Sequence, residues 1–245
     1  MIDQPVVLPK MMFVTACDMV GSSGSLPAVI GTNWHYWMTG DARATLVADT
    51  MDVLRRQGLA RRDQLHPVWK NTIAVLTAPD REFYAWNSFA DGTTAAILVA
   101  ARGRDAARIV VGDDVVLIDP VEPGFLATHL LEALPEAPGA TVRTVAVPRA
   151  VLDASEAAPA EPADPTDVEY LAALMCAPRD AVHQLYTAVR TDGGERERSL
   201  PISAIDLTGR GRVLTYRTGD DHIALTPGTP HDVVRTLNNT HQQLT

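Results

Sequence analysis

Lysine is almost missing from this chain: Lys10 and Lys70 are the only two, so arginine supplies the other basic residues. Basic charge is itself in deficit. Against 21 Lys and Arg stand 30 Asp and Glu, giving 21 − 30 = −9. A surface of that sign repels phosphate backbones and anionic membranes, although it leaves room for a small local basic patch. Cysteine is scarce as well. Cys17 and Cys176 lie far apart in apolar settings, which excludes a dense disulfide scaffold and a close-paired zinc site; both are expected to be buried thiols. No stretch approaches the roughly 20 apolar residues of a membrane span. The apolar run Met11 to Cys17 is short, is preceded by the acidic Asp3 and ends at Asp18, so it does not read as a signal peptide. A cytoplasmic protein without membrane contact is expected.

What is present is globular in composition, with 46% hydrophobic and 21% charged residues. A chain of this length buries roughly 70% of its unfolded surface, enough for a self-sufficient core. The clearest break is Ala154 to Pro165, which carries no large apolar residue and is flanked by acidic ones. Such a segment cannot offset its ordering entropy and reads as an exposed linker. Residues 1–153 then form an N-terminal half, 154–165 the linker and 166–245 a C-terminal half, all within one compact domain.

Periodicity predicts an α+β fold in which one plan is used twice. Asp41 is placed to cap a helix reaching about Gln57, with Val47, Met51 and Leu54 on one stripe. A second helix follows Asp63, with Trp69, Ile73 and Leu76 inward and Pro79 ending it. The period then changes to two. Strands are predicted over 82–89, 94–101, 107–111 and 115–119, an antiparallel meander joined by turns such as Asp91-Gly92. A helix led by Pro123 and a short strand over 142–147 complete the half. The second half repeats the order: a helix over 166–176, strands over 181–190, 199–206, 211–217 and 222–226, and a helix led by Pro230. The offset is 178 − 79 = 99 residues at the Ala-Pro ends of the leading helices, and 230 − 123 = 107 at the last helix.

Catalytic patterns are absent. In Gly21-Ser22-Ser23-Gly24-Ser25 a serine stands where a nucleophile elbow needs its second glycine. No Gly-Lys-Ser or Gly-Lys-Thr occurs, so there is no phosphate-binding Walker loop. The histidines at 35, 66, 129, 183, 222, 231 and 241 contain no i, i+2 or i, i+4 pair, so no metal or cofactor is expected. Asp113-Asp114 and Asp220-Asp221 fall at turns, where local hydrogen bonding explains them. Trp34 to Trp37 is the one aromatic cluster and has no basic residue within it; burial in a core or interface is expected.

Taken in order, several short motifs resemble the EspG family of ESX (type VII) secretion-associated proteins of actinobacteria. They are Val6-Val7-Leu8, Leu26-Pro27, Gly58-Leu59 to Pro79, the meander, Asp119-Pro120, Leu134-Pro135 and Val147-Pro148. In the second half, Asp206 to Arg212 is similar to that family's hairpin in which an aspartate leads to Gly-Arg, and Leu225-Thr226-Pro227 precedes a closing amphipathic helix. The resemblance implies a pseudo-twofold α/β molecule acting as a non-enzymatic cytosolic chaperone. Its partner would be a PE/PPE heterodimer or a similar helical-hairpin secretion substrate, whose apolar tip it would cover. One loop departs from the family: Ala90-Asp91-Gly92 is short where the family's is often long, while Thr191 to Arg198 is longer and charged. A chaperone for an apolar tip should offer an apolar groove with a polar rim. The expected surface joins Phe89, Asp91 and Thr93 to the helices at Leu171–Met175 and Leu237–Gln242, with Asp91, Arg235, Asn238, His241 and Gln242 as its exposed contributors. Two other classes stay open, an enzyme of unrecognised type and, less favoured, a DNA-binding regulator lacking a basic recognition helix.

Overall fold

The computed structural model describes residues 1–22, 26–30, 38–153, 165–191 and 194–245. Ser23 to Ser25, the Trp34 to Trp37 cluster and nearly all of the Ala154 to Pro165 segment lie outside the described residues. The first half of the chain runs β1 (Val6–Pro9), α1 (Lys10–Met19), a 3-10 turn (Ala28–Ile30), α2 (Gly40–Arg56), β2 (Ala60–Arg61), β3 (Gln64–Leu65) and α3 (Pro67–Thr77). It continues through β4 (Arg81–Phe89), β5 (Thr94–Arg102), β6 (Asp105–Val111), β7 (Val115–Pro120) and α4 (Leu126–Glu132). The second half opens with β8 (Val145–Pro148), α5 (Arg149–Asp153) and α6 (Pro165–Met175). Then come β9 (Arg179–Arg190), β10 (Arg196–Arg198), β11 (Ile202–Leu207), β12 (Gly211–Arg217), β13 (His222–Pro227) and α7 (Pro230–Gln242).

Apart from the small β2–β3 hairpin, these strands form one antiparallel sheet in the order β1-β7-β6-β5-β4-β9-β11-β12-β13-β8, with β10 beside β9. The order reads alike from both ends. Its centre is the β4–β9 pair, in which Tyr84 faces Tyr186. A pseudo-twofold axis passes there, and the offset it defines, 186 − 84 = 102, falls between the two read from sequence. The edges match too. β1 pairs with β7 and β8 with β13. Where each edge strand turns into its helix, the Lys10 amide donates to the Asp114 carbonyl (2.7 Å) and the Arg149 amide to the Asp221 carbonyl (2.9 Å). By topology the second repeat therefore begins at Val145, ahead of the Ala/Pro segment. A strand over 142–147 was expected to finish the first half; it is instead the edge of the second, because Val145 and Val147 bury their side chains beside β13.

Helices sandwich the sheet. On one face α1, α2 and α3 bury Phe13, Leu54, Trp69, Ile73 and Leu76 against the first-half strands, while α6 places Leu171 and Leu174 against Ile205, Val213 and Leu225. On the other face α4 and α7 close over the centre, packing Leu126, Leu130, Val233 and Leu237 on Phe83, Leu185 and Leu214. Burying one apolar stripe per helix and one face per strand supplies the main folding force.

Several local expectations shift. Thr39, not Asp41, caps α2: its hydroxyl accepts from the Ala42 amide (3.3 Å), leaving Asp41 in the first turn, where a negative charge also suits the helix dipole. Asp63 sits in the β2–β3 turn, and α3 begins at Pro67, with the His66 ring accepting from the Val68 amide (3.2 Å). The strand expected from Ser199 starts at Ile202, since Pro201 has no amide to donate. Of the two cysteines only Cys17 is buried, and burial pushes its thiol far up; Cys176, just past the end of α6, is exposed.

Candidate functional site

The residues expected to form the partner surface are spread along the molecule, from the tip of the β4–β5 hairpin to the last turn of the closing helix α7. Phe89, Asp91 and Thr93 stand at the tip of the β4–β5 hairpin, at the ends of two central strands and not on an edge of the sheet. Asp91 is tied into its turn: Oδ1 accepts from the Thr93 amide (2.8 Å) and hydroxyl (2.6 Å), which hold the carboxyl below its ordinary value. Phe89 is half-buried, edge-on to the His183 ring at 6.2 Å.

Helix α7 starts near that end and runs away from it. Its last turn brings His241 against Phe83 (ring centroids 4.9 Å) and within 2.7 Å of the Thr187 hydroxyl. Phe83 and Phe89 are six residues apart on β4, roughly 20 Å at about 3.3 Å per residue. The hairpin tip and the end of α7 therefore do not meet in one groove. His241 also turns inward, contrary to expectation, because its ring completes the apolar contact with Phe83; burial and the nearby Arg81 charge lower its pKa. Arg235, Asn238 and Gln242 are exposed, and Arg235 pairs with Asp232 (2.6 Å). Leu171 and Leu174 are core residues, so neither leucine is available to a partner.

Beside the hairpin tip lies a cavity of about 720 Å³ bounded by Phe89, Pro138, Asp180, Ala181, Leu207 and Gly211. Its floor is a closed charge network. Arg212 donates from Nε to Asp206 Oδ1 (2.6 Å) and from Nη2 to Asp206 Oδ2 (2.9 Å) and the Pro135 carbonyl (2.9 Å). His183 lies 3.0 Å from Asp206 and 2.8 Å from Asn87. Although burial opposes ionisation, the bonds from Arg212 and His183 bring the Asp206 carboxyl down to about 2. Histidine, aspartate and arginine together suggest catalysis. Here each points at another member of the group, and Arg212 ties the 135–140 connection and Gly228 to the sheet through its backbone as well. The arrangement orders the fold. Among the described residues no group of three or more His, Cys, Asp or Glu could hold a metal ion.

The feature that sequence reasoning missed is on the opposite face of β4 and β9. There Tyr84 and Tyr186, mates across the pseudo-axis, stack at 5.0 Å and 11°. The segment expected to be a charged loop folds back as β10, pairing Arg196 with Arg190 and Arg198 with Ala188. That pairing sets the Arg196 guanidinium over Tyr84 (5.4 Å) and that of Arg198 over Tyr186 (5.1 Å). Arg196 also donates to Glu82. Desolvation pulls its pKa down, but the hydrogen bonds to Glu82 and Tyr84 carry it above the ordinary value. Pro27, Tyr84, Trp86, Arg190, Arg196 and Arg198 line a cleft of about 330 Å³. Trp86 is 41% exposed. The signal in sequence was the alternation Arg196-Glu197-Arg198, a period of two that places both arginines on one face.

No curated protein matches the chain. Among solved structures, it is similar to the Mycobacterium tuberculosis type VII secretion system chaperone EspG5, solved in complex with a PE25–PPE41 dimer. The TM-score is 0.72 over 96% of each chain at 18% identity, a likeness of fold. The model of the EspG family matches residues 13–239, from α1 into α7 and through both repeats. The chain belongs to the EspG family.

Proposed function

We propose that this protein is a cytoplasmic, non-catalytic secretion chaperone that binds a PE/PPE-type heterodimer and keeps it soluble for type VII (ESX) export. The observation that carries this reading is whole-chain likeness, over 96% of both chains, to a chaperone solved with a PE–PPE dimer in place. Family membership across residues 13–239 supports it. So does the inward closure of the His183–Asp206–Arg212 group, which leaves its polar atoms engaged with one another.

Co-expression with the PE/PPE pairs of the source organism tests the proposal. The expected product is a one-to-one complex of chaperone and heterodimer on gel filtration, with affinity read by calorimetry. Failure to form a complex with any cognate pair refutes the reading.

A further inference from the structure

We propose that the arginine–tyrosine cleft on β4, β9 and β10 is a docking site for an acidic segment of the partner, one that also carries an apolar side chain for Trp86. The partner's identity as secretion cargo rests on the function proposed above; the chemistry of the segment rests on the cleft.

Charge is the first argument. In a chain of net charge −9, three arginines and one carboxylate, Glu82, line this cleft among the described residues. Arg196 is committed to Glu82. Arg190 donates to the carbonyl of Gly194 (2.9 Å), and Arg198 rests on Tyr186. Among the described residues neither has a carboxylate partner. A partner carboxylate would meet two guanidinium groups already held in place, which lowers the ordering cost of binding.

The pseudo-twofold supplies an internal control. Arg196 and Arg198 stand opposite Arg190 and Ala188 on β9. Their mates on β5, opposite Ser88 and Trp86 on β4, are Thr94 and Ala96. The scaffold forms its equivalent hairpin with small neutral residues, so pairing geometry does not require arginine. The charge is added to one side only. Residue type points the same way: arginine, tryptophan and tyrosine are the side chains in which interfaces concentrate binding energy. An exposed tryptophan at the centre of a sheet gives that surface its apolar anchor.

The test compares the full-length protein with single variants against a purified cognate PE/PPE pair, by calorimetry at low and moderate salt. Arg198→Glu and Trp86→Ala are the variants, since neither side chain has a hydrogen-bonded partner among the described residues. Arg196 is left intact because its loss would strand Glu82. Arg198→Glu is expected to raise Kd about tenfold or more, and Trp86→Ala about fivefold, with the unfolding temperature unchanged. Affinity of the wild type should fall with added salt, and that of Arg198→Glu should fall less. If the wild type binds and both variants match it within about twofold, the cleft is not the docking site and the chaperone reading stands. Weakening by Arg235→Glu alone would likewise overturn the cleft and move the interface to α7. Failure of the wild type to bind any cognate pair overturns the chaperone function, and the cleft as a cargo site with it.

Discussion

Replacing Asp206 by asparagine should destabilise the protein by about 3 kcal/mol while changing almost no volume. The carboxyl titrates at about 2 instead of 3.8, and each unit is worth about 1.4 kcal/mol, so the ionised form contributes about 2 kcal/mol over the neutral one. The amide loses that and also leaves the guanidinium of Arg212, 2% exposed, without its counter-charge. Breaking a buried pair from one side costs about 3–5 kcal/mol in such settings. Urea unfolding near neutral pH measures the gap between wild type and Asp206→Asn. The pH dependence is a second check. Because the folded-state value lies below the unfolded one, this stabilisation is complete above about pH 4 and disappears as pH falls through about 2. The gap should narrow over that window. Joint replacement of Asp206 by leucine and Arg212 by methionine should recover much of the loss, as apolar substitutes for a buried pair often do. A gap under about 1 kcal/mol near neutral pH, or one that does not narrow in acid, would show that the network does not hold the fold.

Gly211 lies at φ +88, and a Cβ there would come within 2.6 Å of the Pro138 carbonyl oxygen. Gly211→Ala should therefore cost well over the about 1–2 kcal/mol expected of Gly209→Ala, which is left-handed at φ +66 but has open space; equal shifts in unfolding temperature would contradict this. His241, lowered by burial and Arg81, stabilises the fold in its neutral form. That contribution is full above about pH 6.5 and lost as pH falls further, so the unfolding temperature of the wild type should drop more steeply than that of His241→Gln between about pH 7 and 5. Limited proteolysis should cut first within Ala154 to Pro165, a stretch without apolar anchors. The two pieces should stay together on gel filtration, because β4 pairs with β9 and β8 with β13 across the cut; separation of the pieces would refute that pairing.

Much of this architecture was legible along the chain. The duplicated order of elements, the meander strands and the inward stripe Trp69, Ile73 and Leu76 all follow from hydrophobic period and from Gly, Asp and Pro at turns, which act within a few residues. The family resemblance came from the same short motifs taken in order. The α2 cap went astray because Thr39 and Asp41 are both good capping residues, and which of them leaves the helix is settled by local backbone geometry. Larger matters needed three dimensions. That Val145 to Pro148 belongs to the second repeat depends on β8 finding β13, about 75 residues later in the chain. Strand pairing over such separations leaves no periodic trace. The expected partner surface was assembled from sequence positions alone, and the direction in which α7 crosses the sheet separates its two parts. The Arg196–Arg198 strand looked like a solvated loop because a charge run of that length usually is one. Only the stack of Tyr84 on Tyr186, made by pairing β4 with β9, gives those guanidinium groups a surface to rest on. Local chemistry thus determined which elements form, and the tertiary pairing of the two repeats decided which side chains meet.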